Sequence, residues 1–191
     1  QQYQYQSSGQ SFKELLLLHG AAFSKETWKE TGILQQLCQA DGSLSVTAVD
    51  LSVKSTGDKL IALLNGLKQE GIISGNPLVI VSPSASGKAI STLADRIDGI
   101  SLKKHMKGWI PVACSSVLKM REGAISEFVN EEVPILAIYG DQDAMGKKAS
   151  QRLKSIANAE VLELPGQHPV YLDSPQEFIN FLILFVNQVT S

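Results

Sequence analysis

Leu78-Val79-Ile80-Val81-Ser82-Pro83-Ser84-Ala85-Ser86-Gly87-Lys88 decides the reading of this chain. An apolar, β-branched run of strand length leads into a cluster of small residues. Ala89, Ile90, Leu93, Ala94 and Ile97 then follow at helical spacing. Strand, tight turn and helix form the setting in which a serine is lifted off the end of a sheet and becomes a nucleophile. Such a turn is sharp, so the positions two before and two after the nucleophile must be small. Centred on Ser84 they are Ser82 and Ser86, which fit; centred on Ser86 they are Ser84 and Lys88, and a lysine does not fit. Ser84 is therefore the candidate nucleophile, flanked by serines where glycines are usual. A phosphate-binding loop does not fit the same stretch. Its first glycine would be Ser82, its metal-binding Ser/Thr would be Ala89, and Pro83 removes a backbone donor from the cradle. A penicillin-binding S-x-x-K motif fails because the residue three before Lys88 is Ala85.

Outward from this stretch, strand and helix alternate. Lys13 to Leu18, Leu44 to Leu51, Leu78 to Ser82, Trp109 to Ala113, Val133 to Tyr139 and Ala159 to Leu164 read as strands. Lys25 to Ala40, Asp58 to Leu67, part of Ser116 to Val129, Lys147 to Ala157 and Pro175 to Val189 read as helices, the last opened by Asp173 or Ser174 with proline at its first position. This pattern predicts an α/β fold, a mostly parallel sheet of about six strands with helices on both faces. Residues 1–10 read as a polar tail or an edge strand, and 11–191 as a single domain. The twenty or so residues between Ala113 and Val133 are too few for a cap domain over the sheet edge.

Composition narrows the functional classes. The chain of 191 residues is 43% hydrophobic and 19% charged with a net charge of −2, which gives no reason to invoke nucleic acid or an anionic membrane. Three histidines and two cysteines are too few for a convincing metal cluster, and Cys38 and Cys114 read as reduced, buried thiols. No apolar run is long enough to span a bilayer, and no signal peptide is legible. The expectation is a cytoplasmic monomer. A removed targeting segment stays open, because the chain starts at Gln1 without an initiator Met.

Function in parallel sheets collects at the carboxyl ends of strands. His19-Gly20-Ala21-Ala22, Ser84, Gly140-Asp141-Gln142-Asp143 and Gly166-Gln167-His168-Pro169 all fall there. The chemistry assigns roles to them. A serine hydroxyl needs a base, which His168 supplies, and a carboxylate must hold the imidazole tautomer. Asp141 and Asp143 compete for that task; Asp143 is favoured because it lies further beyond the strand, in the loop that can reach His168. Asp141 is then expected to bond turn amides. His19 is expected to orient its loop, and His105 sits in a basic run with Lys103, Lys104 and Lys107 that reads as a solvated face. Backbone N–H groups of Ala21 and Ala85 are the candidates for an oxyanion hole.

These segments resemble the α/β-hydrolase superfamily, and within it the α/β hydrolase domain-containing protein 14 family. The resemblance rests on His19-Gly20 with Phe23-Ser24-Lys25-Glu26-Thr27-Trp28, Val49-Asp50-Leu51, Ser82 to Gly87, Tyr139 to Gly146 and Gly166 to Pro175. The chain departs from the family at Ser52-Val53-Lys54, where a glycine-rich loop is usual, and at Ala85, where a larger apolar residue is usual. The resemblance implies the α/β-hydrolase fold with sheet order 2-1-3-4-5-6 and a catalytic triad of Ser84, Asp143 and His168. It implies a serine hydrolase or acyltransferase acting on small acyl esters or amides through an acyl-enzyme. It further implies protein-lysine deacetylation with coenzyme A as acceptor and no required cofactor. The alternative class is a catalytically silent α/β-hydrolase-fold binding or scaffold protein.

Overall fold

The computed structural model describes residues 3–5, 13–96 and 101–191; Ile97, named above for its helical spacing, lies outside them. Seven strands form one sheet in the order β1-β3-β2-β4-β5-β6-β7. They are β1 (Tyr3–Tyr5), β2 (Lys13–Leu17), β3 (Leu44–Ala48), β4 (Leu78–Pro83), β5 (Met106–Val112), β6 (Leu136–Gly140) and β7 (Glu160–Leu164). Six of them run parallel in the expected order. Short β1 adds an antiparallel edge, with Tyr3 opposite Ala48, where the sequence left a choice between strand and tail.

The continuous apolar run of β2 is explained by burial on both faces. Successive side chains point to opposite sides, so Leu16 and Leu18 enter one core and Leu15 and Leu17 the other. The first core is covered by α3 (Gly57–Gln69), α4 (Gly87–Ala94), α5 (Glu122–Asn130) and α6 (Ala144–Ala157). The second is covered by α1 (Lys25–Glu30), α2 (Ile33–Ala40), α7 (Val170–Asp173) and α8 (Pro175–Thr190). Ser174 is the N-cap residue of α8 and Pro175 its first residue.

The helix expected over Lys25 to Ala40 is two helices. Gly32 takes φ +75, a left-handed conformation that stops α1 and restarts the chain as α2. The break lets Trp28 turn into the second core. There its Nε1–H donates to the Leu18 carbonyl at 2.9 Å and its ring lies 4.8 Å from that of Tyr171.

Between β5 and β6 the chain holds only a 3-10 turn, Ser115–Lys119, and α5. Ala124, Ile125 and Phe128 of α5 are buried in the first core, so this segment is sheet cover and not an inserted cap. Among the described residues no helix is long and apolar enough to cross a membrane.

Candidate active site

β4 lies at the middle of the sheet and delivers Ser84 at its carboxyl end. Ser84 has φ +50, a left-handed conformation that costs a non-glycine residue about 1–2 kcal/mol. The turn continues as a 3-10 segment, Ser84–Ser86, straight into α4. The serines on either side each have a partner. Fully buried Ser82 accepts the Trp109 indole N–H at 2.8 Å, and Ser86 Oγ donates to the Pro83 carbonyl at 2.8 Å. Paired hydroxyls avoid the penalty of about 1–3 kcal/mol for a buried unsatisfied group, which is how serine replaces glycine here.

Gly87 explains how α4 packs so low on the sheet: a Cβ there would lie 2.4 Å from Cys114 Sγ. The Cys114 thiol donates to the Ser82 carbonyl at 2.7 Å, and burial pushes its pKa up to about 12. It is an inert packing group. Both cysteines are buried thiols outside any disulfide, as the sequence led us to expect.

His168 follows β7 and Asp143 follows β6. His168 Nε2 lies 2.8 Å from Ser84 Oγ, and Nδ1 lies 2.6 Å from Asp143 Oδ2. With Nδ1–H donating to the carboxylate, Nε2 is left to accept the serine hydroxyl. Asp143 has a second task as N-cap of α6, where Oδ1 accepts the N–H groups of Met145 (3.1 Å) and Gly146 (2.9 Å). Its side chain is 9% exposed, whereas that of His168 is 46% exposed. Asp141 Oδ1 instead accepts the Gly166 N–H at 3.0 Å, bracing the loop that carries His168. Gly140 lets these two loops touch at backbone distance: a Cβ there would lie 2.2 Å from the Gln167 carbonyl oxygen.

His19 is a brace between loops. Its Nδ1–H donates to the Gly20 carbonyl at 2.9 Å, and Nε2 accepts the Leu51 N–H at 3.3 Å. Beside it, Asp50 takes the Lys25 backbone N–H at 2.9 Å and Lys25 Nζ at 2.6 Å. Burial acts to raise the Asp50 carboxyl, but Lys25 and then His19 outweigh it and hold it below the ordinary carboxylate value. Lys25 and Asp50 had been given no role from their residue types. The usable signal was the position of Asp50, just past β3 on the same sheet edge.

The two candidate oxyanion donors flank Ser84. Ala21 lies in the exposed turn after Gly20, across a cavity of about 180 Å³ that Ser84 and His168 also line. Its other walls include Phe23, Pro83, Val112, Pro169 and Tyr171. Ala85, next in the chain, lines a different cavity of about 420 Å³ with Lys88, Ser91, Ser116 and Lys119. Lys103, Lys104 and Lys107 sit at the start of β5, whereas Pro83 pairs with Val112 at its end. The length of the strand, roughly 20 Å, therefore separates them from Ser84. His105 goes with them.

No protein-family model matches the chain. It is 31% identical over 200 residues to "Putative protein-lysine deacylase ABHD14B" of Rattus norvegicus, covering 95% of this chain and 87% of that one. The Pongo abelii protein of the same name is 32% identical over 195 residues, covering 94% and 85%. "Protein ABHD14A" of Danio rerio is 29% identical over 188 residues, covering 92% of this chain and 65% of that protein. Among solved structures, a predicted CIB-like hydrolase from Thermoplasma acidophilum superposes with TM-score 0.76 at 18% identity, covering 98% of this chain and 91% of that one. MenH from S. aureus superposes with TM-score 0.71 at 12% identity, covering 100% and 99%. At these identities the structural likeness shows the α/β-hydrolase fold alone.

Proposed function

The chain belongs to the ABHD14 family of α/β hydrolases, and on that premise we propose that it is a serine acyl hydrolase or acyltransferase using Ser84, His168 and Asp143. The observation that carries this reading is the line from Ser84 Oγ through His168 to Asp143, with links of 2.8 and 2.6 Å. Ser84 Oγ attacks the acyl carbonyl carbon while His168 Nε2 takes its proton. The carbonyl oxygen becomes an oxyanion, for which the N–H groups of Ala21 and Ala85 are the donors. The bond to the leaving group breaks as His168 returns the proton to it, and an acyl-Ser84 ester remains. An acceptor then gives its proton to His168 and attacks that ester; the bond from the acyl carbon to Ser84 Oγ breaks as His168 returns the proton to Oγ. The acceptor is water, or a thiol such as coenzyme A, and no metal or cofactor is required by these steps. The relatives' name brings acylated protein lysine to this chain as a substrate class. The half-exposed imidazole supports access by another protein's side chain.

A fluorophosphonate should label the protein on Ser84. Ser84→Ala should abolish labelling and Ser86→Ala should not, because the Ser86 hydroxyl is buried against Pro83. Mass-spectrometric mapping checks the site, and an adduct on Ser86 would refute the assignment.

Substrate length follows from the open edge. Drug-sized ligands are enclosed by cavities of roughly 300 Å³ or more, and the cavity at Ser84 is about 180 Å³. A longer acyl tail stays in water and forgoes the roughly 25 cal/mol per Å² of burial that would aid the transition state. On p-nitrophenyl esters of two to twelve carbons, kcat/KM should be highest at the shortest chains. A steady rise of about tenfold per two methylenes out to twelve carbons would reveal a deep channel and rule this out.

A further inference from the structure

The cavity at Ser84 holds one polar group that the reaction above does not use. Among the described residues its walls carry no Lys, Arg, Asp or Glu, and the lining residues with polar side chains are Ser84, His168 and Tyr171. Ser84 and His168 are bonded to each other. Tyr171 is 2% exposed, and its ring is held by Trp28 at 4.8 Å, Phe178 at 5.8 Å and Phe23 at 6.1 Å. Among the described residues its hydroxyl has no hydrogen-bond partner, and burial alone pushes its pKa up to about 12. The hydroxyl is not sealed in. The sealed, unpartnered side-chain atom among the described residues is Arg152 Nε, and Tyr171 is one of the residues that line the cavity at Ser84. A buried tyrosine hydroxyl ordinarily finds a partner; this one belongs to a ring packed among three others in the wall of the cavity beside Ser84.

We propose that the cavity selects a short, uncharged acyl group bearing a hydrogen-bonding oxygen beyond the reacting carbonyl, a hydroxyl, keto or ether oxygen, and that Tyr171 recognises that oxygen. This rests on the serine-hydrolase reading. A plain alkyl chain of the same length covers the phenol and leaves it unpaired, whereas an oxygenated chain satisfies it. A charged acyl group finds no counter-charge among the described wall residues. The difference between a satisfied and an unsatisfied buried hydroxyl corresponds to about tenfold in kcat/KM.

The test compares p-nitrophenyl methoxyacetate with p-nitrophenyl butyrate, whose acyl chains have the same number of heavy atoms, in the wild type and in Tyr171→Phe. Phenylalanine keeps the ring among Trp28, Phe178 and Phe23 and removes only the hydroxyl, so Tm should not move. Dividing the kcat/KM ratio of the two esters in the wild type by that in the variant cancels their intrinsic reactivities. The quotient should be about ten. If both esters are turned over and the quotient is one, the Tyr171 proposal is wrong and the serine-hydrolase reading stands. If neither ester is turned over and the phosphonate leaves Ser84 unlabelled, both fall together.

Discussion

Ser84→Ala should lower kcat on a short acyl ester by about 10⁶-fold, the scale seen when the serine of such a triad is removed. Ser86 and Cys114, the other nucleophiles of the turn region described above, cannot take its place. Ser86 Oγ is turned onto the Pro83 carbonyl, and the Cys114 thiol is buried with its pKa raised to about 12. His168 would keep its bond to Asp143, so the loss belongs to the nucleophile and not to a collapsed site. Alanine fits the volume and keeps the left-handed turn, so the unfolding midpoint should stay within a few degrees. The measurement is steady-state hydrolysis of p-nitrophenyl acetate beside thermal unfolding. A variant retaining more than about one part in a hundred of the activity would point to another nucleophile, since the scale for a lost triad serine is four orders lower.

Asp143→Asn comes next in size, with a fall in kcat of roughly 10⁴ and little change in fold. The two oxygens of Asp143 separate the two effects. Oδ1 caps α6 by accepting from Met145 and Gly146, and an asparagine oxygen can do the same. Oδ2 faces His168 Nδ1, and an amide NH₂ in that place presents a donor to a donor. The imidazole must then move its proton to Nε2, which can no longer accept from Ser84. Asp141→Asn keeps an acceptor for the Gly166 N–H and should act mainly on stability, by about 1 kcal/mol. Kinetics and unfolding of the two variants side by side decide the assignment; exchanged outcomes would make Asp141 the orienting carboxylate.

What the sequence disclosed follows from how far each interaction reaches along the chain. The strand of Leu78 to Ser82, the tight turn at Ser84 and the proline at the head of α8 are set by near neighbours, and all three are present in the fold. The order of the parallel strands came from the family resemblance, since crossover geometry only narrows the topologies. The break at Gly32 was missed because apolar spacing on both sides outweighed one glycine, which only its φ of +75 shows to be a helix end. The pairings that build the site span 25 to 84 positions: Asp143 with His168, Lys25 with Asp50, Ser84 with His168. Chemical type and sheet edge could nominate the ends of such pairs, and only the folded chain shows which ends meet. Tyr171 is the clearest case, since α7 was not expected as an element and no local signal marks its phenol as unpartnered.

The contact at Gly140 has a bearing on how still the site is. The loops bearing Asp143 and His168 meet there main chain against main chain, with no room for even a methyl group between them. Such a contact has no rotamers. It cannot loosen by a side chain hopping to another well, and it has no χ entropy to lose when a substrate arrives. The spacing of base and carboxylate is therefore tied to the spacing of β6 and β7 themselves, the stiffest ruler the molecule has. On the proposed reading, a relay set by that ruler would meet each new acyl group already at its working distance, with little left to reorganise as charge develops on the imidazole.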